Sequence, residues 1–278
     1  MTRRLARIGR LTAMAAVLAL PSAAGAIVIR HDVPDARYRV PDDVFPPLVD
    51  LPVEGHGVLI APRWAVTAGH AVSWQDEPIK QVTIAGRPRA VARVIRHPDF
   101  ALPQVPDRGP SGPWVARFLQ LRDIALIELA EPVRDVKPAP LYQGPEQGQV
   151  AEIIGKGATG DGLAGQASDA PHRTALRRAF NRIETADGPW LTYRFDSGAK
   201  ALPLEGVMGN GDSGGPVLIQ DHGAWKLAAV ASWKRWDGDL AELKSGLYGL
   251  VSYQTRLSWY RPWIEQVLAA AGDRLPDD

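Results

Sequence analysis

No cysteine occurs anywhere in the 278 residues. That absence excludes thiol nucleophiles, cysteine metal sites and disulfide staples, so packing alone must hold the fold. An excess of one charge is missing too. The formal net charge is +1, which gives no electrostatic basis for a nucleic-acid partner. No apolar run reaches the roughly 20 residues that a membrane-spanning helix needs. The six histidines are scattered, without metal-ligand spacing to acidic residues. No metal or other cofactor is expected.

With 45% apolar residues the chain is long enough to bury one full core or two smaller ones packed together. Its 24 prolines and 27 glycines imply many turns, hence short strands more than long helices. Residues 1–26 are set apart. Arg3, Arg4, Arg7 and Arg10 precede a short apolar run at 11–20, and Pro21-Ser22-Ala23-Ala24-Gly25-Ala26 ends in small residues. This pattern is that of a secretory signal peptide cut after Ala26, which predicts a secreted or periplasmic protein with no membrane attachment after cleavage. Removing the four arginines leaves 28 basic against 31 acidic residues.

Residues 29–54 read as an extended, proline-rich stretch. Strands are expected at 57–60 and 64–67, around a turn at Pro62-Arg63, and at 81–85 and 90–97. Residues 98–118, with five prolines, are expected to form a long loop. A strand over 121–129 follows, with Asp123 at the mouth of its apolar run. The four-proline stretch 131–149 is a crossing between two halves. The second half opens with a strand at 150–154, and the glycine-rich 157–172 is expected to be a mobile loop. Residues 174–184 and 190–196 read as strands, 216–220 and 225–233 as a hairpin around Asp221-His222-Gly223, and 246–252 as a further strand. Residues 261–271 form an amphipathic helix, with Pro262 in its first turn and Gly272 as its stop. The polar tail from Asp273 is expected to fray.

Gly211-Asp212-Ser213-Gly214-Gly215-Pro216 is the stretch most charged with chemistry. Its glycines permit a tight turn that a Cβ would forbid. A serine there can face outward while the Gly211 and Ser213 amides converge on one point, as acyl transfer requires. A surface turn has the same composition. His70, in a glycine-containing turn after a buried strand, is a candidate base, and Asp123 a candidate orienting acid. Singly, each also reads as a structural residue.

Taken together, Thr67-Ala68-Gly69-His70, Asp123-Ile124-Ala125-Leu126 and the serine hexapeptide resemble the chymotrypsin/trypsin family of serine endopeptidases. Residues 57–64, Gly155-Lys156-Gly157, Ser232-Trp233 and Gly246-Leu247-Tyr248 extend the resemblance over nearly all of 57–271. It implies an all-β fold of two packed six-stranded antiparallel β-barrels with a C-terminal helix. The first half, 27–140, would carry His70 and Asp123, the second, 141–260, Ser213, and 261–278 the helix and tail. Missing cysteines depart from most secreted animal members and suit an exported bacterial one. The implied catalytic residues are His70, Asp123 and Ser213, with an oxyanion hole at Gly211 and Ser213. The implied partner is a protein or peptide substrate, and the implied state is a monomer.

In this family a new Ile-Val N-terminus inserts beside the aspartate preceding the serine, which here pairs Ile27 with Asp212. Ile29-Arg30 stands where the family has two glycines. The pocket would be formed by Val207, Met208, Ser232, Trp233, Lys234 and Gly246. Without an acid at Val207, cleavage after Arg or Lys is disfavoured. Small or medium apolar residues are expected instead, with the Lys234 ammonium as an alternative attraction for acidic side chains. Two other readings remain at this point. One is a non-catalytic binding module on the same scaffold, although such relatives lose a triad residue. The other is an esterase of the α/β-hydrolase class, whose histidine comes last in the chain; only His222 follows Ser213.

Overall fold

A computed structural model describes residues 27–73, 77–167 and 175–276. The expected signal peptide, part of the expected mobile loop and the last two residues lie outside the described residues. β1 (Ile27–Ile29) comes first and lies outside both barrels, in a small separate sheet. β2 (Leu48–Asp50), β3 (His56–Ala61), β4 (Trp64–Thr67), β5 (Gln81–Ile84), β6 (Arg87–Arg96) and β7 (Ala125–Leu129) close a barrel in the order β2-β3-β4-β7-β6-β5. There follow β8 (Val150–Gly155), β9 (Thr159–Asp161), β10 (Gly165–Gln166), β11 (Arg177–Asp187), β12 (Trp190–Arg194), β13 (Gly206–Val207), β14 (Pro216–Asp221), β15 (Ala224–Arg235) and β16 (Val251–Arg256). A second barrel closes in the order β11-β12-β16-β15-β14-β8. All pairings within both barrels are antiparallel. The expected fold class is therefore correct.

Each barrel has its own interior. Leu59, Ala65, Ile84 and Ile127 fill the first, and Ile153, Ala179, Leu191 and Val217 the second. β11 shows the simple pattern, with buried Arg177, Ala179, Asn181 and Ile183 alternating with more exposed residues. β3, β4 and β7 are instead buried at every position. Their outer face is covered by a third core, in which Val58, Ile60, Trp64 and Leu126 meet Ile154, Leu218 and Val230 of the second barrel. At about 1.5–3 kcal/mol for each large apolar side chain fully buried, this shared core fixes one barrel against the other.

The two chain ends cross-brace the pair. The arm 27–40 belongs to the first half in sequence but lies on the second barrel: Val40 N–H donates to Leu176 O, and Arg178 N–H to Tyr38 O. At the other end, helix α2 (Leu257–Ala270) leaves β16 directly and returns Leu257, Tyr260, Ile264 and Leu268 to the shared core. Trp64 Nε1 donates to Asp273 Oδ2 at 2.9 Å. This helix begins a turn earlier than its sequence suggested. Pro262 is its sixth residue, where it costs the Ser258 carbonyl its i+4 donor. Gly272, at φ +78°, does end it: Gly272 N–H bonds Ala269 O and Asp273 N–H bonds Leu268 O, a Schellman motif.

The proline-rich stretch before Asp123 is not wholly a loop, because α1 (Gly112–Gln120) forms within it. The last proline, Pro113, sits in its first turn, and the seven residues after it contain no breaker. Asp221-His222-Gly223 makes the expected hairpin, with His222 and Gly223 both at positive φ.

Arg177 is fully buried, yet carries a charge. Its Nε and Nη2 donate to the two carboxylate oxygens of Asp35 at 2.6 and 2.9 Å, and Nη1 to Ala175 O. Asp35 also pairs with the more exposed Arg39. Asp35→Ala strands the buried guanidinium and is expected to cost about 3–5 kcal/mol. Arg39→Ala is expected to cost under about 1 kcal/mol. Urea denaturation of the two variants checks the difference.

Candidate active site

β4 and β7 lie side by side with Thr67 opposite Ala125. The chain leaves β4 three residues before His70 and enters β7 two residues after Asp123. Both side chains therefore emerge from one end of the first barrel. His70 Nδ1 lies 2.6 Å from Asp123 Oδ2, and His70 N–H donates to Asp123 Oδ1 at 2.8 Å. An ionised carboxylate only accepts, so Nδ1 carries the proton and Nε2 presents a lone pair. That Nε2 is 2.8 Å from Ser213 Oγ, which the second barrel supplies from the loop before β14.

Asp123 is fully buried. Burial alone would raise its pKa, but the His70 imidazole, the Ser232 hydroxyl and the His70 amide together hold it below the usual carboxylate range. Ser232 Oγ donates to Asp123 Oδ2, and Thr255 Oγ1 donates to Asp123 O at 2.8 Å. The carboxylate is thus clamped by both barrels. Ser232, expected on a pocket wall, also reaches this carboxylate. The part played by Thr255 had no sequence signal.

The serine loop is pinned across the crevice. His56 N–H donates to Ser213 O at 2.7 Å, and Gly214 N–H to Ala231 O at 2.8 Å. Gly211 and Gly214 have φ of +84° and +76°. A Cβ on Gly214 would sit 2.1 Å from His56 O and 2.2 Å from Thr67 Oγ1. Among the described residues, neither the Gly211 nor the Ser213 amide donates to a protein acceptor. These two donors remain for an oxygen in the crevice.

The profile of the trypsin family matches residues 38–264. This chain belongs to the trypsin family. It is 28% identical over 198 residues to transmembrane protease serine 9 of Rattus norvegicus, covering 63% of this chain and 16% of that protein. It is 24% identical over 237 residues to a tryptase of Mus musculus, covering 75% of this chain and 76% of the tryptase.

Within this trypsin-family chain, Asp212 is fully buried, and burial pushes its pKa up. Its Oδ1 accepts from Gly157 N–H at 2.7 Å and its Oδ2 from Gly209 N–H at 2.8 Å. His56 Nε2 stands 3.8 Å from Oδ1 but accepts from Lys156 N–H, while His56 Nδ1 faces Asp50 at 3.1 Å. Lys156 Nζ also reaches Asp50, at 3.1 Å. Nothing in the sequence singled out this His56–Asp50–Lys156 group. Ile27 is fully buried in β1, between β9 and β13. Among the described residues its nitrogen makes no ion pair with Asp212. In the uncut sequence that nitrogen is a peptide amide, which carries no charge to offer.

A cavity of about 580 Å³ opens beside Ser213. Of the six residues named for the pocket, Met208, Ser232, Trp233 and Lys234 line this cavity, whereas Val207 and Gly246 do not. Val207 is instead fully buried opposite Val28 in the small sheet that joins β1 to β13. Gly246 packs against the Val28 side chain, where a Cβ would meet both methyls at 3.0 Å. Val207 and Gly246, expected to help form the pocket, thus lie outside this cavity. The cavity has a cation on its wall: Lys234 Nζ donates to Ser245 Oγ at 3.1 Å, and burial pushes its pKa down to about 8.

Gly214→Ala combines a positive φ with the clash on His56 O and is expected to lose at least about 2 kcal/mol. Gly223→Ala, at φ +85° but in open space, is expected to lose only about 1 kcal/mol. Urea denaturation separates the close approach from backbone strain alone.

Proposed function

We propose that the protein is an exported serine endopeptidase. The reading rests on one observation: the His70 imidazole bridges Asp123 at 2.6 Å and Ser213 at 2.8 Å. Ser213 Oγ attacks the carbonyl carbon of a peptide bond and passes its proton to His70 Nε2. Asp123 holds the ring in the required tautomer and stabilises the imidazolium. The Gly211 and Ser213 amides receive the oxyanion; one such donor is worth about 2.7–4 kcal/mol. His70 then returns its proton to the leaving amine. A water, deprotonated by the same nitrogen, attacks the acyl ester and frees Ser213.

The alternatives have less support. A binding module of this family would lack a triad residue, and all three are present. The esterase reading needs a histidine after the serine, but the histidine near Ser213 Oγ is His70, which precedes it. The cation on the cavity wall argues further against cleavage after Arg or Lys.

Export rests on the Ala26 cleavage pattern, which would leave Ile27 as a free ammonium. Pairing of that charge with buried Asp212 would make signal removal the activating step, in a monomer that acts on proteins or peptides outside the cytoplasm.

Three expected outcomes test this reading. A serine-directed phosphonylating probe labels the wild type on Ser213 and fails on Ser213→Ala, and Asp123→Asn lowers kcat on peptides by about 10⁴-fold. Turnover of esters but of neither casein nor peptides would contradict the assignment. Mass spectrometry of the active secreted protein gives Ile27 as its first residue; an active enzyme starting elsewhere overturns activation by signal removal.

A further inference from the structure

Lysine is rarely buried without a partner, because removing an ammonium from water is costly. Lys234 is half-buried overall and lines the cavity, and its Nζ bonds Ser245, which lines the same cavity. It has three N–H donors, and Ser245 Oγ accepts one of them. The titratable groups lining the cavity are Glu54, His70, Asp123 and Lys234. Asp123 is already engaged by His70 and Ser232. Glu54 belongs to the first barrel, in the loop before β3. On the second barrel's side of the cavity, the lining charge is therefore positive.

The nearest compensating charge, Asp212, lies behind that wall. It attracts Lys234 through space, but its own oxygens are bonded to the Gly157 and Gly209 amides. Lys234 stands opposite Ser252 in the β15–β16 ladder, so a rigid barrel wall fixes its backbone. A fixed, desolvated ammonium with unspent donors is a receptor for a carboxylate, and charge-assisted bonds of that kind are roughly twice as strong as neutral ones.

We propose that Lys234 and Ser245 form a carboxylate-recognition subsite, which selects substrates with glutamate or aspartate before the scissile bond. The proposal rests on the crevice being a peptide-hydrolysing site and replaces the apolar preference that the sequence suggested. A pocket that fits a substrate carboxylate also rejects its uncharged isostere, because the ammonium is then left buried without its partner.

The test compares matched peptides that differ only in Glu or Gln at that position. The wild type is expected to cleave the Glu peptide with a kcat/KM at least about ten-fold higher, and Lys234→Met to abolish the difference. Ser245→Ala is expected to reduce it, and serves as the second variant should Lys234→Met fold poorly. Titration of Ser213→Ala with the same two peptides reads recognition without turnover, with the Glu peptide binding about ten-fold tighter. Equal affinity of Ser213→Ala for both peptides overturns the proposal, as does a wild type that prefers Gln, Ala or Leu at that position. The binding result stands whether or not any peptide is cut, so loss of the peptidase reading remains distinguishable through the phosphonate probe.

Discussion

The hydrogen-bonded line from Asp123 through His70 to Ser213 crosses the boundary between two separately closed barrels. Its length is fixed to within a few tenths of an ångström only if neither barrel shifts against the other. Much of the molecule can be understood as meeting that demand. The shared core around Trp64, Ile60, Leu218 and Val230 sets the barrels' spacing. The Ser213 carbonyl and the Asp123 carboxylate are each tied to the opposite barrel, by the His56 amide and by Ser232. A protein without disulfides has no covalent substitute for this packing.

Buried charge marks the places where this scaffold does more than pack. Asp123, Asp212 and Arg177 are all fully buried, and each is compensated differently. Asp123 has an imidazole, a hydroxyl and an amide, and its pKa falls. Asp212 has two amides and the more distant Lys234 ammonium, and burial raises its pKa. Arg177 has a bidentate carboxylate that also anchors the arm. Lys234 has one hydroxyl within the protein. A buried ion with incomplete compensation is costly to keep, which directs attention to what enters the cavity beside it.

The strands and the three crevice residues were legible because short-range patterns carry them. A histidine after a buried strand, an acid leading an apolar run and a glycine-flanked serine each have a local physical reason. The family resemblance ordered them along the chain. Less legible were features that depend on tertiary context. α1 hides behind five prolines, although the segment after Pro113 is free of breakers. α2 starts at Leu257 because β16 delivers the chain straight onto the shared core, which overrides the preference for proline in a first turn. Val207 counts to a pocket position by spacing, yet its pairing with Val28 turns it into the interior. His56 carries no signal of its own, since its role arises only when Asp50, Lys156 and Asp212 are brought around it.

Whether positions 70 and 213 act as one unit is measured most directly by kcat/KM on a single peptide for His70→Ala, Ser213→Ala and the double variant. Residues that share one proton fail together. The account predicts that the double variant is no slower than either single variant. Losses that multiply in the double variant would contradict it.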